Sequence, residues 1–226
     1  MPIQTVLFDL DGTLLDTAPD LADALNTVLV ENRRAPLPYA EIRGVVSHGG
    51  IALIRLGFQL DESSPEFEAL RQRLLSVYRD NLSNKTRPFP GMSAALEQLE
   101  QRGLNWGVVT NKPAWLTEPL LKDLGLFERS VCVVSGDTLS ERKPHPAPML
   151  HACEQAGCRP ENCVYVGDAR RDIEAGKNAG MHTLVALFGY FLAADRPQEW
   201  EADGLLETPL DLIRWLDARS PGTTVP

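Results

Sequence analysis

An apolar run over residues 3–8 passes directly into Asp9, Leu10, Asp11, Gly12 and Thr13. Such a run, closed by a glycine turn, reads as a buried strand. Two carboxylates one residue apart at the end of a buried strand are costly to desolvate unless a cation or a reaction uses them. An acidic strand exit is also an ordinary turn, so the feature needs support from elsewhere in the chain. Three later segments supply it. Val108 and Val109 lead into Thr110 and Asn111, Arg142 and Lys143 stand before Pro144, and residues 164–167 lead into Asp168. Groups at the carboxyl ends of parallel strands share one crevice, which predicts that these side chains converge.

Strand signals recur over residues 3–8, 106–110, 131–135, 163–167 and 183–187, mostly separated by helical patterns. That alternation predicts an α/β fold, a doubly wound parallel sheet covered by helices on both faces. Between the first strand and Trp106 no comparable strand signal occurs, and residues 16–85 read as helices. Leu21, Leu25, Val28 and Leu29 share one helical face, as do Phe67, Leu70, Leu74, Val77 and Tyr78. Ser63, Ser64, Pro65 and Glu66 predict a cap, an early proline and a capping-box glutamate for the second of these helices. Residues 87–91, with two prolines and a glycine, mark a turn back to the sheet. The expected organisation is a core of residues 1–15 and 86–226 with residues 16–85 as an inserted helical domain. The tail 220–226 lacks periodicity and is expected to fray.

The chain has 226 residues, and 31 acidic against 22 basic residues give a formal charge of −9. That balance disfavours nucleic acid and anionic membrane surfaces as partners. An anionic substrate would need placed cations or a metal. No basic and apolar leader precedes the first strand, and no apolar stretch approaches the roughly 20 residues of a membrane span, so a cytoplasmic protein is expected. Cys132, Cys153, Cys158 and Cys163 are then expected to be reduced. Their spacing with His151 lacks the close cysteine pairs of a zinc site, and Cys132 and Cys163 fall in apparent strands, which predicts simple core packing.

Taken in order, Asp9 and Asp11, Thr110, Lys143, then Asp168 with Asp172 match the four motifs of the haloacid dehalogenase superfamily of phosphatases, which the chain resembles over residues 3–190. The resemblance implies a Rossmann-like core with a helical cap between the first and second motifs. That placement is similar to the group containing phosphoglycolate phosphatases and phosphoglucomutases. It implies Asp9 as nucleophile and Asp11 as general acid and base. Thr110 and the backbone amides around Leu10 and Asn111 would hold phosphoryl oxygens, with Lys143 neutralising charge. A carboxylate meeting a phosphate at ~4 Å and an effective dielectric of ~20 is repelled by about 4 kcal/mol per unit charge pair, so a cation is needed between them. Magnesium fits such an oxygen-rich site. By the same resemblance its ligands are the Asp9 carboxylate, the Asp11 backbone carbonyl and the Asp168 carboxylate. Asp172 would orient a metal-bound water, although an acidic residue in the first turn of a helix has a plain reading as well.

Specificity is expected from the cap. Val45, Val46, Ser47, His48, Gly49 and Gly50 read as a loop between two cap helices, and its glycines would allow close backbone approach to a ligand. Arg43 and Arg55 flank it and could bind a substrate carboxylate, the alternative being solvated surface arginines. Residues 42–47, 106–113, 142–146 and 167–176 resemble the N-acetylmuramic acid 6-phosphate phosphatases, a cytoplasmic branch of the group. The implied partner is a small anionic phosphate ester: that sugar phosphate, or alternatively 2-phosphoglycolate, turned over by a monomer or homodimer. Asp11 argues against a dehalogenase and a phosphonate hydrolase. A sugar phosphomutase keeps the same motifs.

Overall fold

Alternation along the first strand sets the layers of the molecule. A computed structural model describes residues 2–219, and the tail expected to fray lies outside the described residues. In β1 (Thr5–Phe8), Val6 and Phe8 enter one apolar cluster and Leu7 another. Successive strand side chains point to opposite faces, so a wholly apolar strand needs cover on both.

The elements follow as β2 (Leu15–Asp16), α1 (Ala18–Glu31), α2 (Tyr39–Arg43), α3 (Gly49–Phe58), α4 (Phe67–Arg79) and β3 (Arg87–Pro88). After these come α5 (Met92–Gln101), β4 (Asn105–Val109), α6 (Ala114–Asp123), β5 (Val133–Val134), α7 (Ala147–Ala156) and β6 (Cys163–Gly167). The chain closes with α8 (Arg170–Asn178), β7 (His182–Ala186), β8 (Gly204–Leu206) and α9 (Asp211–Asp217). Six strands form one parallel sheet in the order β5-β4-β1-β6-β7-β8. Apolar residues of α5, α6 and α9 join Val6 and Phe8, while Met149 and Cys153 of α7 and Ala175 of α8 join Leu7. The α/β sheet is as expected. β1 sits centrally, with Phe8 level with Val108 of β4 and Val166 of β6, so Asp9, Thr110 and Asp168 all leave the same edge.

Four details differ from the sequence reading. β5 is shorter than residues 131–135, and Cys132 precedes it. β8 carries too few residues for a periodic signal. The segment read as a turn contains β3, whose Arg87 and Pro88 pair antiparallel with Asp16 and Leu15 of β2. Proline is tolerated there because a two-stranded pair leaves its missing N–H on an edge. Finally, α4 starts at Phe67 without a side-chain cap. Asp61 takes the Ser63 N–H at 3.0 Å and the Ser63 hydroxyl, which commits those residues to a turn before the helix.

Between β2 and β3 the chain forms α1 to α4. The predicted stripe of α1 is buried, Leu25 completely, and it packs with Leu53, Ile54 and Phe58 of α3 and with Leu74, Val77 and Tyr78 of α4. Truncating a buried leucine such as Leu25 to alanine costs roughly 2–5 kcal/mol. Buried Asp20 at the start of α1 accepts the Thr86 N–H at 2.8 Å and the Thr86 hydroxyl at 2.7 Å, pinning the returning chain beside the departing one. No helix among the described residues is long and apolar enough to cross a membrane.

Candidate active site

Asp9 is the first residue beyond β1, and its N–H still pairs with Val166 O at 2.9 Å. The chain then folds back, Leu15 N–H donating to Leu10 O at 2.9 Å and Gly12 N–H to Leu15 O at 3.0 Å. Gly12 has φ +84°, and a Cβ built there would lie 2.0 Å from Asp168 Oδ2. Only glycine lets the turn after β1 and the carboxylate after β6 come together.

Lys143 provides the charge that holds this centre. Its side chain is buried, with Nζ 2.9 Å from Asp9 Oδ1, 2.7 Å from Asp172 Oδ1 and 2.8 Å from the Tyr165 hydroxyl. Tyr165 in turn donates to Val109 O at 2.6 Å. Asn111 clamps the lysine's backbone on both sides, its Nδ2 donating to Lys143 O at 3.0 Å and its Oδ1 accepting Lys143 N–H at 3.1 Å. Burial alone would raise the Asp9 pKa, but Lys143 and Arg171 outweigh it and hold the carboxyl below its usual range. Leu10 N–H, expected to face a phosphoryl oxygen, donates instead to Asp9 Oδ1 at 2.7 Å and orients that carboxylate.

Ligand oxygens of Asp9, Asp168 and Asp172 lie within 4.8 Å of one another. Burial, then the charges of Asp9 and Asp172, push the Asp168 carboxyl up to about 8. Its Oδ2 accepts the Tyr190 N–H at 2.9 Å and the Ser47 hydroxyl at 2.7 Å, whereas its buried Oδ1 has no hydrogen-bond partner among the described residues. Asp172 Oδ2 accepts Ala169 N–H at 3.0 Å, so this acid also caps α8. Three buried carboxylates facing one another with an orphaned oxygen suit an oxygen-seeking cation.

Asp11 has different company. Its Oδ1 accepts from Lys112 Nζ at 2.9 Å and from the Thr17 hydroxyl at 2.7 Å. Lys112 is buried and also donates to the Tyr78 hydroxyl of α4 at 3.0 Å, lying over that ring at 4.4 Å from its centroid. Burial pushes the Tyr78 phenol up to about 12, while Asp11 and Tyr78 raise the lysine against the opposing effect of its burial. Sequence reading missed Lys112, although it stands two residues after Thr110. It also read Tyr78 purely as a core position.

Asp9, Asp11, Thr110 and Asn111 open into a cavity of about 640 Å³ whose far wall comes from the helices. Ser47, His48 and Gly49 line that wall, with Arg71, Gln72 and Tyr78 of α4. The expected loop is instead a 3-10 turn over Val46–His48, followed by α3 starting at Gly49. Among the described residues, its chain neighbours and own helix backbone aside, no atom lies within 4 Å of a Cβ built on Gly49, so its φ of +75° at the helix start is what calls for glycine. Burial, with Arg171 nearby, holds the His48 pKa below its usual value. Arg43 and Arg55 are not in the wall. Arg43 donates to Phe188 O at 3.2 Å and stacks over Tyr190, and Arg55 pairs with exposed Glu62 at 2.6 Å. Helical rotation carries them away from the cavity and presents Arg71, held bidentately by Glu68 at 2.8 Å. Arg171, half-buried, reaches the cavity and donates to Ser47 O.

The model of the haloacid dehalogenase-like hydrolases matches residues 6–186. A phosphoglycolate phosphatase of Xylella fastidiosa is 44% identical over 212 residues, 93% of this chain and 92% of that protein. An N-acetylmuramic acid 6-phosphate phosphatase of Pseudomonas aeruginosa is 41% identical over 217 residues, 96% of both chains. The crystal structure of a predicted phosphoglycolate phosphatase from Haemophilus somnus 129pt, 27% identical, matches with a TM-score of 0.84 over 94% of this chain and 97% of that one. The strand-end carboxylates thus sit in a fold and a sequence shared with phosphatases, and the chain belongs to the haloacid dehalogenase-like hydrolases as a phosphoric monoester hydrolase.

Proposed function

We propose that this phosphatase hydrolyses N-acetylmuramic acid 6-phosphate in the cytoplasm, through an aspartyl-phosphate on Asp9. The size of the cavity carries the choice of substrate. A space of about 640 Å³ is in the range of sites for ligands of sugar size or larger, and a two-carbon acid would leave most of it to water. Arg71, Arg142 and Arg171 line it in place of Arg43 and Arg55, and offer guanidinium groups to a lactyl carboxylate. The second reading is 2-phosphoglycolate, supported by the Xylella relative. Identities of 44% and 41% differ too little to separate the two.

In the proposed reaction, α1 to α4 act as the cap that seats the ester over the sheet. Asp9, kept ionised by Lys143, attacks phosphorus, and Asp11 protonates the departing alkoxide. Asp11 then takes the proton of the water that hydrolyses the aspartyl-phosphate. The Thr110 hydroxyl, buried beside Asp9, holds a phosphoryl oxygen. Magnesium is the proposed cofactor, with the Asp9 and Asp168 carboxylates and the Asp11 carbonyl to hold it and Asp172 beside them. Its chemistry there is to offset the repulsion between phosphate and carboxylates.

The test is a panel of phosphate esters assayed with magnesium. kcat/KM for N-acetylmuramic acid 6-phosphate should exceed that for 2-phosphoglycolate by at least about tenfold, or ~1.4 kcal/mol of transition-state discrimination. A preference for 2-phosphoglycolate, or for a hexose phosphate without the lactyl group, overturns the substrate and leaves the phosphatase standing.

A further inference from the structure

At the opposite edge of the sheet from the carboxylates, three of the four cysteines meet. Cys153 lies on α7, Cys158 in the turn that follows, and Cys163 opens β6. α7 ends at Gly157, whose φ of +64° reverses the chain and returns it as β6 beneath the helix. Positions five residues apart, whose spacing lacks the close cysteine pairs of a zinc site and predicts simple core packing, are thereby brought together. Cys163 Sγ is 2.9 Å from Cys158 Sγ and 3.5 Å from Cys153 Sγ, and all three sulfurs lie within 4.8 Å of one another. Cys153 and Cys163 are buried, while half-buried Cys158 gives access from solvent.

We propose that Cys153, Cys158 and Cys163 form a site for one thiophilic d10 cation of the zinc class. Three sulfurs bound at a zinc–sulfur length of about 2.3 Å lie ~4.0 Å apart around a planar ion and ~3.8 Å apart around a tetrahedral one. The separations of 2.9 Å and 3.5 Å from Cys163 fall short of those values by roughly 0.3–1.1 Å, and the third is at most 4.8 Å, so side-chain rotations that spread the sulfurs would complete the site. An all-sulfur donor set selects soft or borderline ions and rejects magnesium. At present the Cys163 thiol donates to Arg159 O at 3.3 Å and the Cys158 thiol to Cys153 O at 3.8 Å. On binding, each S–H releases its proton to solvent and its sulfur lone pair goes to the ion. The solvent side, at Cys158, leaves a fourth position for water. β6 separates the site from Asp168 by five residues, about 16 Å at ~3.3 Å per residue, so the ion would brace the α7–β6 turn and take no part in phosphate chemistry.

The experiment titrates the full chain, reduced with a phosphine and held in excess magnesium to compete for the oxygen donors, with cadmium as probe. The expected result is one equivalent bound with a thiolate-to-cadmium charge-transfer band and a raised Tm. Cys158→Ser should weaken binding at least about tenfold, since losing even an outer partner of a metal ligand costs that much. Cys132→Ser should leave binding and band unchanged. Absence of the band at one equivalent, its persistence in Cys158→Ser, or its loss in Cys132→Ser overturns the proposal. Wild-type protein gives an independent reading if Cys158→Ser does not fold: one equivalent of zinc must protect Cys158 from iodoacetamide. Undiminished alkylation overturns it as well.

Discussion

The floor of the cavity and its helical wall are held by different means. On the floor, Asp9, Lys143 and Asp172 lock one another at 2.7–2.9 Å, almost without solvent exposure, where the end of β1, the loop before α7 and the first turn of α8 meet. In the wall, Ser47, His48, Arg71 and Gln72 come from a short turn and one face of α4, and the Arg71 side chain is tied to an exposed glutamate. Ser47 to Asp168, Arg171 to Ser47, and Lys112 to Tyr78 are the bonds that join the two. The difference teaches where each property resides. A floor in which buried Asp9, Lys143 and Asp172 hold one another can preorganise charge for a transition state, whereas a wall on helices can be reshaped without disturbing it.

Breaking the floor should have the largest effect. Asp9→Asn is expected to lower kcat by at least about 10⁴-fold on every ester, because an amide neither attacks phosphorus nor carries the charge that Lys143 pairs. A steady-state assay showing activity within tenfold of the native enzyme would remove Asp9 from its role. Chelation of divalent ions should likewise stop turnover of all substrates, with magnesium restoring it and calcium, larger and looser in its coordination, failing to. Equal rates with and without magnesium contradict the reading of Asp9, Asp168 and Asp172 as a cation site.

The joints between floor and wall should be intermediate. Lys112→Met removes the charged one of the two partners of Asp11 Oδ1 and the hold on Tyr78 while keeping the volume, and is expected to lower kcat/KM for alkyl phosphates by about 10–10²-fold. With p-nitrophenyl phosphate, whose leaving group needs no proton, the loss should be much smaller. Equal losses on both esters would show that Lys112 serves folding and does not position the acid.

Changes in the wall should be smallest and selective. Arg71→Ala is expected to raise KM about tenfold for a phosphate ester bearing a carboxylate and to leave kcat on a generic ester nearly unchanged. His48→Ala should reduce discrimination between N-acetylmuramic acid 6-phosphate and 2-phosphoglycolate more than it reduces hydrolysis of a small ester. Parallel losses on all substrates in either variant would erase the distinction between floor and wall.

The part of the floor that follows strands, Asp9, Thr110 and Asp168, was legible because a strand is readable from a run of apolar residues, whereas Lys143 in a loop and Asp172 on α8 were legible only through their place in the motif order. Asp9, Thr110 and Asp168 needed only the rule that parallel strands deliver their ends to one edge. The wall was not legible in the same way. Periodicity found the buried stripes of α1 and α4, but it could not say which remaining face looks into the cavity, so Arg43 and Arg55 stood where Arg71 belongs. β2 and β3 escaped because two residues carry no period, and Lys112 because a lysine after a strand looks like any solvated cation until Asp11 and Tyr78 are seen around it.

What the sequence determined by itself was therefore the parallel sheet, its layered helices and the acidic centre at one edge, all consequences of local patterns of apolar residues and the breaks between them. Tertiary structure decided the rest: which partners bury Lys112 and Lys143, which arginines reach the cavity, and the meeting of Cys153, Cys158 and Cys163. Those depend on the rotation of whole helices and on contacts between residues far apart in the chain, and no local period encodes either.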